Sequence, residues 1–128
     1  GAWETEDADY IATALRETEE EIGVSRHQIE VLGLLSSLYI PPSNFWVQPV
    51  VGFVHARPTF IPDPNEVASV IETPLVWLRD PAIATESKIQ HSSGMSLVVP
   101  SYIIHGHVVW GATAMMLSEL SEVIHDRP

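Results

Sequence analysis

A short acidic segment near the start of the chain constrains the fold most, because its apolar and small residues recur at the spacing of an amphipathic helix. These positions are Ile11, Ala14, Leu15, Thr18 and Ile22. Asp7 precedes them as a candidate N-cap, and Gly23 follows them where a left-handed C-cap would end the helix. The pattern predicts one helix over residues 8–22.

The same segment gathers negative charge on one side of that helix. Eight of the 17 acidic residues fall in the first 21 positions, with Arg16 as the only base among them. At about 100° per residue, Glu17, Glu20 and Glu21 share about a third of the circumference. Glutamate-rich helices are commonly solvated faces, but these carboxylates repel by a few tenths of a kcal/mol per pair. Arg16 can reach Glu20 four residues later, but it cannot offset all three charges. Since hard divalent cations prefer several carboxylate oxygens, the pattern favours a metal site.

Downstream, runs of Val, Ile, Leu and Trp alternate with turn-forming residues. They predict strands over residues 28–36, 45–55, 67–71 and 101–109, and a hairpin with arms 88–91 and 96–99. Pro49 marks the second strand as weak or at an edge, and residues 57–65, with three prolines, are predicted to be a loop.

Two further helices are predicted. A brief one should have Thr73 as its cap and Pro74 as its first residue. A final one should cover residues 112–124, with Leu117, Leu120 and Ile124 facing the core. Strands bracketed by helices predict a single α/β domain over residues 1–128.

Composition excludes several classes of protein. The net charge of -11 argues against nucleic acid as a partner, and the absence of cysteine excludes disulfide scaffolds, thiolate metal sites and cysteine nucleophiles. No apolar run approaches the roughly 18 residues that span a bilayer, so no membrane partner is expected and a cytoplasmic location is the default expectation. Because the chain begins without Met, we expect a segment upstream of it.

A nine-residue motif links the acidic helix to a known family. Residues 16–24 read R-E-T-E-E-E-I-G-V, which is similar to the second half of the Nudix box, R-E-U-x-E-E-x-G-U with U apolar. Thr18 departs from a bulky apolar U, although its methyl group can still pack. On this motif the chain resembles the Nudix hydrolases. The resemblance implies an α/β/α sandwich with a mixed sheet between helices, whose first strands would precede residue 1.

Other segments resemble the coenzyme A diphosphatase branch of that family. The first half of the Nudix box is a Gly, five residues, a Glu and then seven residues before the Arg. Here Gly1 and Asp7 stand at the Gly and Glu positions, and eight residues instead of seven precede Arg16. The coenzyme A diphosphatase branch shares both the Asp and the one added residue before Ala-Leu-Arg-Glu, which stands here at 14–17. Residues 38–44 and 106–114 are also similar to that branch. Its additional coenzyme A motif lies upstream of the box, ahead of residue 1.

The resemblance implies metal-dependent hydrolysis of a diphosphate bond in a nucleoside diphosphate linked to another group. Coenzyme A or a derivative is the expected substrate, with 3',5'-ADP and 4'-phosphopantetheine as products. Glu20 and Glu21 would be the principal ligands of Mg²⁺ or Mn²⁺, with Glu17 as a third ligand or the general base. The backbone carbonyl of Gly1 would lie near a metal. The family also implies a homodimer.

Further residues have candidate roles, those of Arg16 and Glu66 by the same resemblance and the others by residue type. Arg16 would orient a box glutamate, and Glu66, beside the proline-rich loop, is a second candidate for the base, or alternatively a solvated charge at the start of a strand. Tyr39 and Trp46 are candidate walls of the substrate site. His105 and His107 would alternate on one strand face, an arrangement that is more often structural than metal-binding.

Two other functions are compatible with these residues. One is a Nudix pyrophosphohydrolase for ADP-ribose, dinucleotides or nucleoside triphosphates. The other is a non-catalytic binding or regulatory module on a Nudix scaffold, whose typical mark is the loss of box glutamates. All three glutamates are present here.

Overall fold

The computed structural model describes residues 9–41, 43–90 and 93–125, which divide into two compact units. Unit 1 combines the described part of Gly1–Ser37 with Trp46–Val70, and unit 2 combines Leu38–Phe45 with the described part of Ile71–Pro128. Units of this kind can belong to one domain, so the predicted single domain stays a prediction.

The acidic segment forms helix α1, Tyr10–Ile22. Asp9, and not Asp7, is the N-cap: its backbone is extended and its Oδ1 accepts a hydrogen bond from the Ala12 N–H at 2.7 Å. Asp7 lies outside the described residues. Gly23 ends the helix in the left-handed region, φ 73°, and its N–H donates to the Glu19 carbonyl, which confirms the predicted C-cap.

A short 3₁₀ helix, Arg26–Gln28, leads from α1 to strand β1, Ile29–Leu34. Strands β2, Leu38–Ile40, and β3, Phe45–Val47, flank a turn, and β4, Val50–Val54, pairs antiparallel with β1. The register shifts between Val31 and Gly33.

The predicted strand over residues 45–55 is therefore two strands, β3 and β4. Pro49 has no N–H to donate, and the Gln48 side chain supplies a donor at this point, from Nε2 to the Leu35 carbonyl at 2.8 Å. The Leu35 N–H in turn donates to the Pro49 carbonyl at 3.1 Å. The proline therefore separates β3 from β4, while the N–H and the carbonyl of Leu35 both keep a hydrogen bond at this point.

The apolar stripe of α1 faces the β1–β4 sheet within unit 1, as its spacing predicts. Between them lies an apolar cavity of about 280 Å³. Its lining comes from both elements and the following loop: Ala14, Leu15, Thr18, Ile22, Val24, Ile29, Val31, Val50, Gly52, Val54, Pro58 and Phe60. The carboxylates of the helix lie outside this lining, so α1 separates an apolar side from an acidic one.

Unit 2 is built on an antiparallel sheet in the order β5–β6–β7: Ala84–Gln90, Ser96–Ile104 and His107–Trp110. A 3₁₀ helix, Leu75–Arg79, and helix α2, Gly111–His125, complete it. Its buried core is Leu78, Tyr102, Ile104 and Ala114, against which Trp77, Ile83, Ala84, Val109 and Leu117 pack. Helices with sheets in both units confirm the α/β class.

The predicted strand over residues 101–109 is a hairpin. Strand β6 ends at Ile104, and His105 and Gly106 form the turn with φ values of 48° and 79°, the positive values that a two-residue hairpin turn of type I′ requires. His107 then pairs with Ile104. Because His105 lies in the turn, the two histidines do not alternate along one strand, and that interpretation was wrong.

Three smaller expectations also need correction. Residues 67–71 form no strand, and the brief helix after Pro74 is a 3₁₀ helix without a side-chain cap. Ile124 is 39% exposed, so it does not face the core as Leu117 does. Across the described ranges, every helix is too short or too polar to cross a bilayer.

We expect Gly23→Ala to lower the free energy of unfolding by roughly 1–3 kcal/mol, since the left-handed conformation is unfavourable for alanine. Its Cβ would also lie 2.7 Å from the Ile61 Cβ, closer than van der Waals contact allows. Urea unfolding measures the loss. Gly33→Ala is the matched control, because nothing lies within 4 Å of a Cβ there. Equal losses in both variants would contradict the role of Gly23.

Candidate functional site

The last two turns of α1 hold four carboxylates, those of Glu17, Glu19, Glu20 and Glu21, at the negative end of the helix dipole. The last turn contains no basic residue. Acidic side chains are destabilising at a helix C-terminus, where the peptide dipoles already place negative charge. Cations from outside this turn must therefore compensate the cluster.

Arg16 compensates two of these carboxylates. Its side chain is only 10% exposed; Nη1 donates to Glu20 Oε2 at 2.9 Å, and Nη2 lies 3.3 Å from Glu17 Oε1. A nearly buried guanidinium must be paired, and hydrogen bonds between ionised groups are the stronger kind. The predicted reach of Arg16 to Glu20 is confirmed as a contact, and Glu17 is drawn to the same guanidinium.

Arg26 compensates Glu19 from beyond the end of the helix. Its backbone N–H donates to Glu19 Oε2 at 2.9 Å, and its Nη2 donates to Oε1 at 3.2 Å. The side-chain hydrogen bond first, and the backbone one second, hold the pKa of Glu19 below its ordinary value. These two hydrogen bonds between Glu19 and Arg26 link α1 to the following 3₁₀ helix. The pairing of Glu19 with Arg26 was not predicted, although the sequence carries a signal for it, an acid seven residues before an arginine on the other side of a glycine C-cap.

Glu21 differs from the other three. Within the described part of the chain its carboxylate makes no hydrogen bond or ion pair, while its backbone carbonyl accepts from the Asp63 N–H at 2.8 Å. The neighbouring Ile22 carbonyl accepts from the Ile61 N–H, also at 2.8 Å. These two bonds satisfy carbonyls that a helix C-terminus leaves unpaired, and they attach the proline-rich loop to the end of α1.

Glu66 directly follows the proline-rich loop. Its N–H donates to the Asp63 carbonyl at 3.1 Å, and the Val67 N–H donates to the same oxygen at 2.8 Å. The Glu66 side chain is exposed. Because residues 67–71 form no strand, Glu66 is a turn residue held near the end of α1, and not a charge at the start of a strand.

The residues present fit a hard divalent cation by their chemistry. Glu17, Glu20 and Glu21 offer only carboxylate oxygens, which Mg²⁺ and Mn²⁺ prefer. No three His, Asp or Glu side chains among residues 9–41, 43–90 and 93–125 lie close enough together to hold a metal ion. Glu17 and Glu20 instead face Arg16, each through one oxygen. Gly1, the predicted backbone ligand, lies outside the described residues, and the ligand set stays a prediction.

The predicted aromatic walls are both accessible. Tyr39, on β2 in unit 2, is 47% exposed, and its hydroxyl donates to Asn44 Oδ1 at 2.8 Å. Trp46, on β3 in unit 1, is 69% exposed. Such exposure suits aromatic rings that stack on a ligand, but their substrate role stays a prediction.

A NUDIX domain family model matches residues 1–89, which include the whole acidic helix, the proline-rich loop and the 3₁₀ helix of unit 2. This chain belongs to the Nudix family. The expected family and its α/β fold are therefore confirmed.

Curated relatives of this Nudix chain carry the name "Uncharacterized Nudix hydrolase NudL". The one from Pectobacterium atrosepticum is 36% identical over 132 aligned positions, and the one from Citrobacter koseri is 35% identical over 132; both alignments cover 100% of this chain and 66% of the relative. The relative from Photorhabdus laumondii is 31% identical over 125 positions, with 97% of this chain and 65% of the relative covered. The chain thus spans just under two thirds of the length of these relatives.

Glu19→Gln should destabilise this Nudix chain at neutral pH, with a difference that shrinks on acidification. The folded-state pKa of Glu19 lies below its unfolded value of 4.5, so its stabilisation is fully present above that value and is lost as the pH falls through the folded pKa.

Urea midpoints of wild type and variant between pH 7 and pH 3 measure this difference. Glu86→Gln, which removes an exposed charge from β5, controls for the change in net charge. If the difference in urea midpoint between wild type and Glu19→Gln grew toward pH 3, it would contradict the stabilisation of Glu19 by Arg26.

Proposed function

We propose that this Nudix protein hydrolyses a diphosphate bond in a nucleoside diphosphate linked to another group, with coenzyme A or a derivative as its substrate. The observation that carries the proposal is the set of box carboxylates at the end of α1, two of which share the nearly buried Arg16. Membership of the Nudix family supports the reaction class. The substrate choice is supported by the branch-like segments 38–44 and 106–114.

Glu20 and Glu21 would hold Mg²⁺ or Mn²⁺ as principal ligands, with Glu17 as a third ligand. When bound, such an ion supplies a Lewis acid that neutralises phosphate charge and lowers the pKa of a bound water. Arg16 keeps Glu17 and Glu20 oriented through charge-assisted hydrogen bonds. Glu21, whose carboxylate has no partner among the described residues, is free to take a ligand.

The reaction needs one carboxylate that accepts a proton. Water forms a bond to one phosphorus, the bond from that phosphorus to the bridging oxygen breaks, and the bridging oxygen leaves with the other phosphate. The proton of the water passes to Glu66 or Glu17 as general base. Tyr39 and Trp46 would stack on the substrate. For coenzyme A the products are 3',5'-ADP and 4'-phosphopantetheine.

Glu20→Gln and Glu21→Gln should each lower kcat by roughly 100-fold or more, because losing even an outer partner of a metal ligand costs 10–100-fold. Folding should persist, since each substitution removes like-charge repulsion, and the amide oxygen of Gln at position 20 can still accept a hydrogen bond from Arg16. Steady-state hydrolysis with Mg²⁺ and circular dichroism measure the two effects. Glu86→Gln is the control with an equal change of charge, and full turnover by both site variants would refute the ligand assignment.

Mg²⁺ or Mn²⁺ at millimolar concentration should raise the thermal midpoint of the wild type, because a ligand that binds only the folded state stabilises it, by about 2.7 kcal/mol at 100 times Kd. Glu20→Gln and Glu21→Gln should abolish the shift, and Glu122→Gln, on the exposed face of α2, should retain it. Equal shifts in all variants would place the cation elsewhere.

The substrate is tested with a panel of coenzyme A, ADP-ribose, dinucleotides and nucleoside triphosphates, compared by kcat/KM on the complete protein. Coenzyme A should be the best substrate. Faster turnover of ADP-ribose would overturn that choice but not the reaction class. Binding without turnover of any of them, with metal present, would favour the non-catalytic module.

A further inference from the structure

The backbone of the proline-rich loop leaves few ways to attach it to α1. Pro62 and Pro64 have no N–H, so between residues 61 and 64 the only backbone donors are those of Ile61 and Asp63. Both are used on the last turn of the helix, on the carbonyls of Ile22 and Glu21. Asp63 also precedes a proline, which restricts its backbone to extended conformations.

Asp63 then turns the chain toward Glu66. Its side-chain Oδ1 accepts from the Asn65 N–H at 3.0 Å, closing an Asx turn, and its carbonyl accepts from the Glu66 N–H at 3.1 Å. Asp63 thus links the backbones of Glu21 and Glu66, because its N–H donates to the Glu21 carbonyl and its carbonyl accepts from the Glu66 N–H. The side chain of Asp63 is the part of this connection that a substitution can remove while the backbone bonds remain.

The geometry points to Asp63 as a positioning residue that holds Glu66 in register with the end of α1, an inference that rests on the proposed function. Asp63 acts through Glu66: its carboxylate sets the turn, and the Glu66 carboxylate accepts the proton from water. A neutral acceptor at position 63 can set the same turn, since an Asn side chain closes an Asx turn equally well.

A positioning role for Asp63 predicts different kinetics for three variants. Asp63→Ala should lower kcat roughly 10- to 100-fold, the effect of small misplacement of a reacting group, with KM changed by less than about threefold. Asp63→Asn should restore most of the wild-type kcat. In a Glu66→Gln background, Asp63→Ala should cause no further loss, because the two residues act as one unit.

Three outcomes of these assays overturn the inference. One is a loss in Asp63→Asn as large as in Asp63→Ala, which would mean that the charge of Asp63 matters directly. Another is an additive loss in the double variant. The third is unchanged kcat in Glu66→Gln; if Glu20→Gln is still inactive in that case, the proposed function stands without the positioning role.

A readout independent of turnover keeps the inference testable if no substrate is hydrolysed. Amide hydrogen exchange at Asn65, Glu66 and Val67 should be faster in Asp63→Ala than in wild type, and near the wild-type rate in Asp63→Asn. With Mn²⁺ added alone, paramagnetic broadening at the Glu66 amide should weaken in Asp63→Ala while that at Glu20 persists. Unchanged exchange and broadening in Asp63→Ala would overturn the inference, whatever the activity.

Discussion

The interaction on which the site depends is the pairing of the nearly buried Arg16 with Glu17 and Glu20. Without it, a guanidinium that is nearly out of water would lose two carboxylate partners, and four carboxylates would lie without that cation at the negative end of the helix dipole. The pairing also sets the direction of two carboxylates, because a planar guanidinium donates along fixed directions. One arginine therefore offsets part of the charge of the cluster and orients two of its carboxylates.

The end of α1 is completed by partners distant in sequence. Gly23 ends the helix and leaves room for Ile61, whose N–H and that of Asp63 satisfy the final carbonyls. Arg26 closes the same end through Glu19. A glycine is needed where the loop approaches this closely, and prolines leave the loop few alternative conformations. Hydrogen bonds from Ile61, Asp63 and Arg26 thus fix the last turn of α1, although helix termini usually fray.

The proposed diphosphate substrate is anionic, so a strongly acidic chain would need a cation between itself and that substrate. The net charge of -11 would repel a diphosphate, whereas a bound divalent cation reverses the local field. The box carboxylates, membership of the Nudix family and the Glu21 carboxylate, which has no partner within residues 9–41, 43–90 and 93–125, all agree with this arrangement. The apolar stripe on the other side of α1 leaves the acidic side for chemistry, since only the stripe lines the cavity that α1 shares with β1 and β4.

The sequence by itself determined the features that depend on neighbours within one or two helical turns: the presence of α1 and its end at Ile22, the Gly23 cap, the Arg16–Glu20 pair and the family motif. Its choice of Asp7 as N-cap was wrong, since Asp9 caps the helix, because periodicity does not distinguish two acids within one turn. Tertiary structure alone decided that residues 101–109 bend into a hairpin at His105, and that the loop at 61–67 attaches to α1 about 40 residues earlier in the chain. Such outcomes depend on hydrogen-bond partners far away in sequence, which a local pattern of residue types does not contain.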